Sequence, residues 1–316
     1  MEYRTLGNTG LKVSRLCFGA LTVGPLQANL SVEAGGEVIA EALSQGINFI
    51  DTAELYGTYP HISRALVITG RKDIIIASKS YAYDEETAKK SIDQALHELK
   101  TDHINIFLLH EQESQHTLRG HYDALTYYLK MKEAGIIKAV GISTHTIAAV
   151  LASCTMKEID VIHPIINKYG IGIQDGSRDE MLRAITKAHD HGKGIYGMKA
   201  IGGGNLISSV DECLSYVLGL PQLQAIAVGM QTKEEVTANV LRFSGKEVPH
   251  EIKNKIRIKP RRLLIESWCT GCGSCINQCG HKALELIENQ STVDPDKCVL
   301  CGYCSKYCPQ FCIKIV

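Results

Sequence analysis

The 316-residue chain has no excess of charge of either sign, with 34 Lys and Arg against 34 Asp and Glu. A neutral chain has no global field to recruit nucleic acid or an anionic membrane surface, so neither is an expected partner. It also lacks any apolar run near the ~20 residues that span a bilayer, and Met1-Glu2-Tyr3-Arg4 lacks the charged-then-apolar pattern of a secretory leader. The expectation is a cytoplasmic protein that meets small molecules or other proteins; its oligomeric state is not legible. Cysteine is what the chain has in quantity: of its 12, nine lie in the last 48 residues, and eight of those show the same spacing twice.

That spacing is C-x2-C-x2-C-x3-C, at Cys269, Cys272, Cys275, Cys279 and again at Cys298, Cys301, Cys304, Cys308, an offset of 29 throughout. A cubane iron-sulfur cluster needs four thiolates, and the fourth cysteine of such a run characteristically ligates the other run's cluster. Zinc is the competitor, but zinc ribbons use paired C-x2-C knuckles rather than three cysteines at successive steps. Crossing the runs gives one [4Fe-4S] cluster to Cys269, Cys272, Cys275 and Cys308, and a second to Cys298, Cys301, Cys304 and Cys279. The stretch 263–316 resembles the bacterial two-cluster ferredoxin, and clustered thiols of this kind point to the reducing cytoplasm of an anaerobic prokaryote. The repeat superposes Cys312 on Ala283, a packing position rather than a ligand, while Cys17, Cys154 and Cys213 are isolated and read as core.

Ahead of this segment, short apolar runs alternate with stretches of helical period. The runs are 14–19, 47–51, 74–79, 104–110, 139–143, 161–167, 195–199 and 225–229; helices are expected at 31–45, 86–100, 121–132, 178–191 and 233–241. Eight strand-helix units in the first 245 residues have the size and order of a parallel (β/α)8 TIM barrel, typically ~250 residues long. A hairpin turned at Gly7-Asn8-Thr9-Gly10 would cap its bottom. Residues 246–262, with Lys259-Pro260-Arg261-Arg262, lack clear period and read as a linker to the small α+β domain at 263–316.

Catalytic groups of such a barrel sit where strands end. The second, third and fourth runs end on Asp51, Lys79 and His110, and Tyr56 follows Asp51 closely. One tyrosine among thirteen says little by itself, and Asp51 with Lys79 could be an ion pair at a barrel rim. Together they make chemical sense: Lys79, held by Asp51, would lower the phenol pKa of Tyr56, which could then protonate a carbonyl oxygen oriented by His110.

Here the chain resembles the aldo-keto reductase family. The likeness runs over residues 1 to about 245: Tyr3-Arg4-Thr5-Leu6-Gly7 and Gly10-Leu11-Lys12-Val13-Ser14 at the start, Phe49-Ile50-Asp51-Thr52-Ala53-Glu54-Leu55-Tyr56-Gly57, then Ser78-Lys79 and Leu108-Leu109-His110. The resemblance implies an NADP(H)- or NAD(H)-dependent carbonyl reductase with no Rossmann domain, its cofactor extended across the barrel top. It implies Ser143 and Asn167 beside the nicotinamide, Lys199 and Gly203 with their flanking glycines beside the pyrophosphate, and Gly229, Gln231 and Asn239 along the rest. Acids follow Gln231 where the family usually has an arginine for the 2′-phosphate, and the loop 58–64 after Tyr56 departs from the family pattern.

Hydride transfer moves electrons in pairs and a cubane moves one, so a mediator such as a flavin is needed between them; a barrel top can hold FMN by its phosphate. Three readings follow. The clusters exchange electrons with a redox protein or a bound flavin; or they are structural or redox-sensing appendages of a plain carbonyl reductase; or the barrel is an idle cofactor-binding regulatory module.

Overall fold

In the computed structural model, which describes residues 1–257 and 260–316, eight parallel strands close into a barrel ordered β10-β3-β4-β5-β6-β7-β8-β9. They are β3 (Leu16–Gly19), β4 (Phe49–Asp51), β5 (Ile75–Ser80), β6 (Ile104–Leu109), β7 (Ile137–Thr144), β8 (Val161–Pro164), β9 (Gly194–Gly197) and β10 (Ala225–Gly229). All eight expected runs are strands, in the expected order. Continuous apolar sequence suits strands buried on both faces. Inward residues such as Cys17, Phe49, Ala77, Leu108 and Tyr196 fill the lumen, and outward Ile, Val and Leu pack under the helices.

The hairpin β1 (Tyr3–Thr5) and β2 (Lys12–Ser14) is antiparallel and closes the bottom. Its Leu6 and Val13 join the luminal cluster. Gly7, at φ +49°, lies so close to the start of β9 that an added Cβ would stand 2.2 Å from the Gly194 nitrogen, a position only glycine fills.

The five expected helices form as α1 (Val32–Ser44), α3 (Glu85–Leu99), α5 (Tyr122–Glu133), α7 (Arg178–Asp190) and α9 (Lys233–Phe243). Five more, α2 (Tyr59–Thr69), α4 (Gln115–Gly120), α6 (Ile147–Cys154), α8 (Val210–Leu218) and α10 (His250–Arg257), were not expected. Two of these are corrections. The segment taken as a loop after Tyr56 runs into α2, started by Pro60 in its first turn and stopped by Gly70 at φ +61°. The stretch taken as a solvated linker contains α10, which packs beside α9. Of the basic run there, Lys259 lies outside the described residues.

The remainder is a small α+β unit in two halves that repeat each other. Helix α11 (Ser274–Asn277) and helix α12 (Tyr303–Lys306) are 29 residues apart and each follows a left-handed glycine, Gly273 at φ +75° and Gly302 at φ +74°. Strand β11 (Leu263–Ile265) pairs with β14 (Ile313–Ile315), and β12 (Leu284–Ile287) with β13 (Gln290–Val293). The repeat breaks at Ile315, which is buried while its counterpart Leu286 is exposed. The cause is contact with the barrel: Asn205 Nδ2 donates to the Ile313 carbonyl at 3.1 Å, and Gly204, at φ +87°, lies under Ile315.

An added Cβ on Gly204 would stand 2.0 Å from the Ile315 carbonyl oxygen. Gly204→Ala therefore combines left-handed strain of about 1–3 kcal/mol with a backbone clash. Limited proteolysis should release the C-terminal unit from this variant much faster than from the parent, the barrel itself staying resistant. Equal rates would mean the two parts are not held at this point.

Candidate active site and iron-sulfur segment

The ends of β4, β5 and β6 bring the four expected polar groups together. Asp51 closes β4, and the chain then makes a 3-10 turn, Glu54–Tyr56, ended by Gly57 at φ +63°. Lys79 Nζ donates to Asp51 Oδ2 at 2.9 Å and to the Thr52 carbonyl at 2.6 Å, and lies 4.8 Å from the Tyr56 ring centroid. His110, one residue past β6, has its ring centroid 5.7 Å from that of Tyr56.

Two partners of Asp51 were not anticipated. Tyr196 in β9 donates its hydroxyl to Asp51 Oδ1 at 2.9 Å, and His163 in β8 stacks on Tyr196 at 3.8 Å with Nε2 3.6 Å from the same oxygen. Both stand inside their apolar runs, 161–167 and 195–199, so the run-ending signal that Lys79 and His110 gave does not mark them. Tyr81 is a third addition: it stacks on His110 at 4.5 Å and donates to Glu111 Oε2 at 2.5 Å.

The electrostatics correct one expectation. Burial, then the negative charges of Asp51 and Glu111, pushes the Tyr56 phenol up rather than down. Lys79 is committed to Asp51 and Thr52, so Tyr56 rests in its protonated form. Burial, with Lys79 and Lys199 near by, pushes His110 down, so its imidazole is neutral. Its Nδ1 is buried without a partner among the described residues.

Burial also takes His163 from the usual 6.5 to about 4, against the opposing pull of Asp51. Between those values the unfolded chain holds a proton that the native one does not, so stability rises with pH in that window and falls on acidification. The loss at pH 4 is about 3 kcal/mol, and His110 and His145 shift in the same direction. Urea midpoints should therefore drop steeply from pH 6.5 to 4, with a shallower slope in His163→Gln. A flat profile would contradict a buried neutral His163.

These groups open on a cavity of about 1440 Å³, larger than the usual ~300–1,000 Å³ of a drug-sized site. Of the residues expected to hold the cofactor, Ser143, Lys199, Gly203, Gly229, Gln231 and Asn239 line it. Asn167 does not. Its side chain is consumed by its own loop, Nδ2 donating to the Ile171 carbonyl at 2.8 Å and Oδ1 accepting from the Tyr169 and Ile171 amides.

The glycine loop, while lining the cavity, also carries the C-terminal unit, with Lys314 and Phe311 over Gly203 and Ile315 over Gly204. Conversely, the end of the cavity that reads as acidic in sequence is not only acidic. Glu235 accepts from the Gln231 amide at 2.7 Å, but Arg261 lies 3.6 Å from that carboxylate, and Arg242, Lys253 and Arg257 line the same cavity. The residues present fit a dinucleotide: Asp51, Tyr56 and His110, the glycine backbone at Gly229, and Arg242, Lys253, Arg257 and Arg261 all line one cavity.

In the C-terminal unit, Cys308 bears electrostatically on Cys272 and Cys275, while Cys304 feels Cys298, Cys301 and Cys279. Those are the crossed sets, although of the cysteines it is Cys275, from the other set, that bears most on Cys304. Among the described residues no three Cys, His, Asp or Glu converge on a point that would hold one ion. Amides of Ala283, Ser291 and Cys312 point at the sulfurs of Cys279, Cys269 and Cys308 at 3.3, 3.5 and 3.4 Å, the donors a cluster's thiolates require. Cys312 is 2% exposed, the packing position expected of it.

The family model described as "Aldo/keto reductase family" matches residues 15–212, and "4Fe-4S binding domain" matches residues 291–314. L-galactose dehydrogenase of Arabidopsis thaliana is 32% identical over 156 residues, covering 45% of this chain and 48% of that protein. The chain thus spans about half the length of that relative. A polyferredoxin-like protein of Methanocaldococcus jannaschii is 33% identical over 86 residues, covering 22% of this chain and 51% of its own. A holo-form aldo-keto reductase from Bacillus halodurans superposes with TM-score 0.64 at 21% identity, over 81% of this chain and 95% of that one, a likeness of fold. Among the described residues no helix is long and apolar enough to cross a membrane.

Proposed function

Because the chain belongs to the aldo/keto reductase family and carries a 4Fe-4S binding domain, we propose that it transfers hydride between NADP(H) or NAD(H) and a carbonyl or alcohol. In this reading residues 1–245 are the barrel, 246–262 the connection and 263–316 a ferredoxin-like domain with two [4Fe-4S] clusters. The clusters exchange electrons with a redox protein or with FMN held in the barrel.

One observation carries the reading: Asp51, Tyr56 and His110, with Lys79 bound to Asp51 beside the Tyr56 ring, meet at a cavity of about 1440 Å³. The bound nicotinamide would supply the hydride. Tyr56, kept protonated by burial, donates its phenolic proton to the carbonyl oxygen. Neutral His110 steers that oxygen by hydrogen bond. Lys79, fixed by Asp51, puts positive charge beside the phenol as its proton leaves. Tyr196 and His163 fix Asp51 in turn. Arg242, Lys253, Arg257 and Arg261 favour the 2′-phosphate of NADPH over NADH.

The electron-exchange part rests on the shared wall: Pro309, Gln310 and Phe311, directly after Cys308, line the cavity that Tyr56 lines. The functional assay is anaerobic oxidation of NADPH by simple aldehydes with cluster-loaded protein. Aldehyde-dependent oxidation supports the reading, and its absence across a broad aldehyde and ketone panel would remove it.

A further inference from the structure

The ferredoxin-like segment does more than dock on the barrel. Strand β14 places Lys314 inside the cavity, across the Phe311 ring from Lys199 of the barrel. Lys314 Nζ is 3.4 Å and Lys199 Nζ 4.8 Å from that ring's centroid.

Among the described residues neither amine has a carboxylate within ion-pair distance, and burial pushes Lys314 well below its usual range and Lys199 down to about 8. Lys314 donates to the Phe311 carbonyl, and among the described residues Lys199 Nζ has neither a hydrogen bond nor an ion pair. Glu111 and Glu266 act on Lys199 from beyond ion-pair distance. His145 adds a buried ring on the same wall: its Nδ1 faces Glu111 Oε1 at 3.7 Å, and its Nε2 has no partner among the described residues. Two enclosed amines and an unpaired imidazole nitrogen are held in their protonated forms best when a ligand meets them with negative charge.

The location says which ligand. Lys199 and Lys314 line the same cavity as Tyr56 and His110, so the lysine pair shares the space in which a carbonyl would react. Phe311, Lys314 and Ile315 already cover Gly203 and Gly204. Resting on the carbonyl-reductase reading above, we infer that Lys199, Lys314 and His145 bind the carboxylate of an anionic carbonyl substrate, so that the ferredoxin-like segment completes the substrate site.

The test uses the full, cluster-loaded chain and two matched aldehydes, benzaldehyde and para-carboxybenzaldehyde. Wild type should prefer the carboxylated aldehyde in kcat/KM. Lys314→Met should lower that preference about tenfold, the worth of one hydrogen bond to a charged group, and Lys314→Arg should keep most of it. Calorimetry with terephthalate, which cannot be reduced, should show the same tenfold weakening in Lys314→Met, whether or not either aldehyde turns over. The inference is overturned by equal selectivity in wild type and Lys314→Met, by terephthalate binding unaffected by the substitution, or by an equal loss of NADPH affinity, which would assign the anion to the cofactor. Turnover of neither aldehyde with terephthalate binding intact and Lys314-dependent would remove the reductase reading and leave the anion site standing.

Discussion

In Tyr56→Phe, carbonyl reduction should fall by about 10²–10⁴-fold while NADPH binding and cluster content stay at the parent's level. The magnitude is that of losing a positioned proton donor. Phenylalanine keeps the ring and loses the hydroxyl, so the packing of Tyr56 near Lys79 and His110 survives. This makes it a cleaner test than removing Lys79. That residue and Asp51 are a buried pair at 2.9 Å, with Tyr196 on the carboxylate's other oxygen. Deleting one partner of such a pair costs roughly 3–5 kcal/mol of stability, and a loss of activity could then be a loss of fold. Steady-state rates with saturating NADPH, and a fluorescence titration of the cofactor, measure both halves of the expectation. Undiminished kcat in Tyr56→Phe would take the proton-donor role from Tyr56.

The second large effect concerns which cysteines act together. If the runs cross, Cys269→Ser with Cys308→Ser damages one cluster, because both ligands belong to it. Cys298→Ser with Cys308→Ser damages both. If the runs do not cross, the outcomes exchange: the first pair strikes both clusters and the second pair only one. Iron and sulfide content per chain, with the paramagnetic signal of the reduced protein, separates half loss from full loss. Crossing agrees with the electrostatic bearing of Cys308 on Cys272 and Cys275 and of Cys279 on Cys304, although Cys275 bears on Cys304 more than Cys279 does. Half-loaded Cys298→Ser with Cys308→Ser protein would overturn it.

Much of this was legible in the chain because the signals are local. Buried parallel strands read as apolar runs, and the four residues that meet at the cavity each stand at or just after the end of one. The 29-residue offset carried the internal symmetry of the last segment, down to the burial of Cys312 beside that of Ala283. What was missed depends on contacts remote in sequence. Helix α10 is short and strongly charged, with few apolar residues to mark a buried face. Asn167 looked free because its partners, Tyr169 and Ile171, are backbone groups of its own loop. The glycines at 202–204 announced close approach but not by what, and what approaches is β14, over a hundred residues later. The expected fall in the Tyr56 pKa failed for a similar reason: proximity to Lys79 was foreseen, but not the burial that outweighs it.

On the proposed reading, the barrel's hydride chemistry and the clusters' electrons meet in one cavity. The most direct measurement adds NADPH and FMN, without any carbonyl compound, to cluster-loaded protein under anaerobic conditions and follows the visible absorption of the clusters. The account predicts bleaching of that absorption. Clusters that stay oxidised in a protein that still reduces aldehydes would contradict it, leaving a plain reductase with a structural iron-sulfur segment.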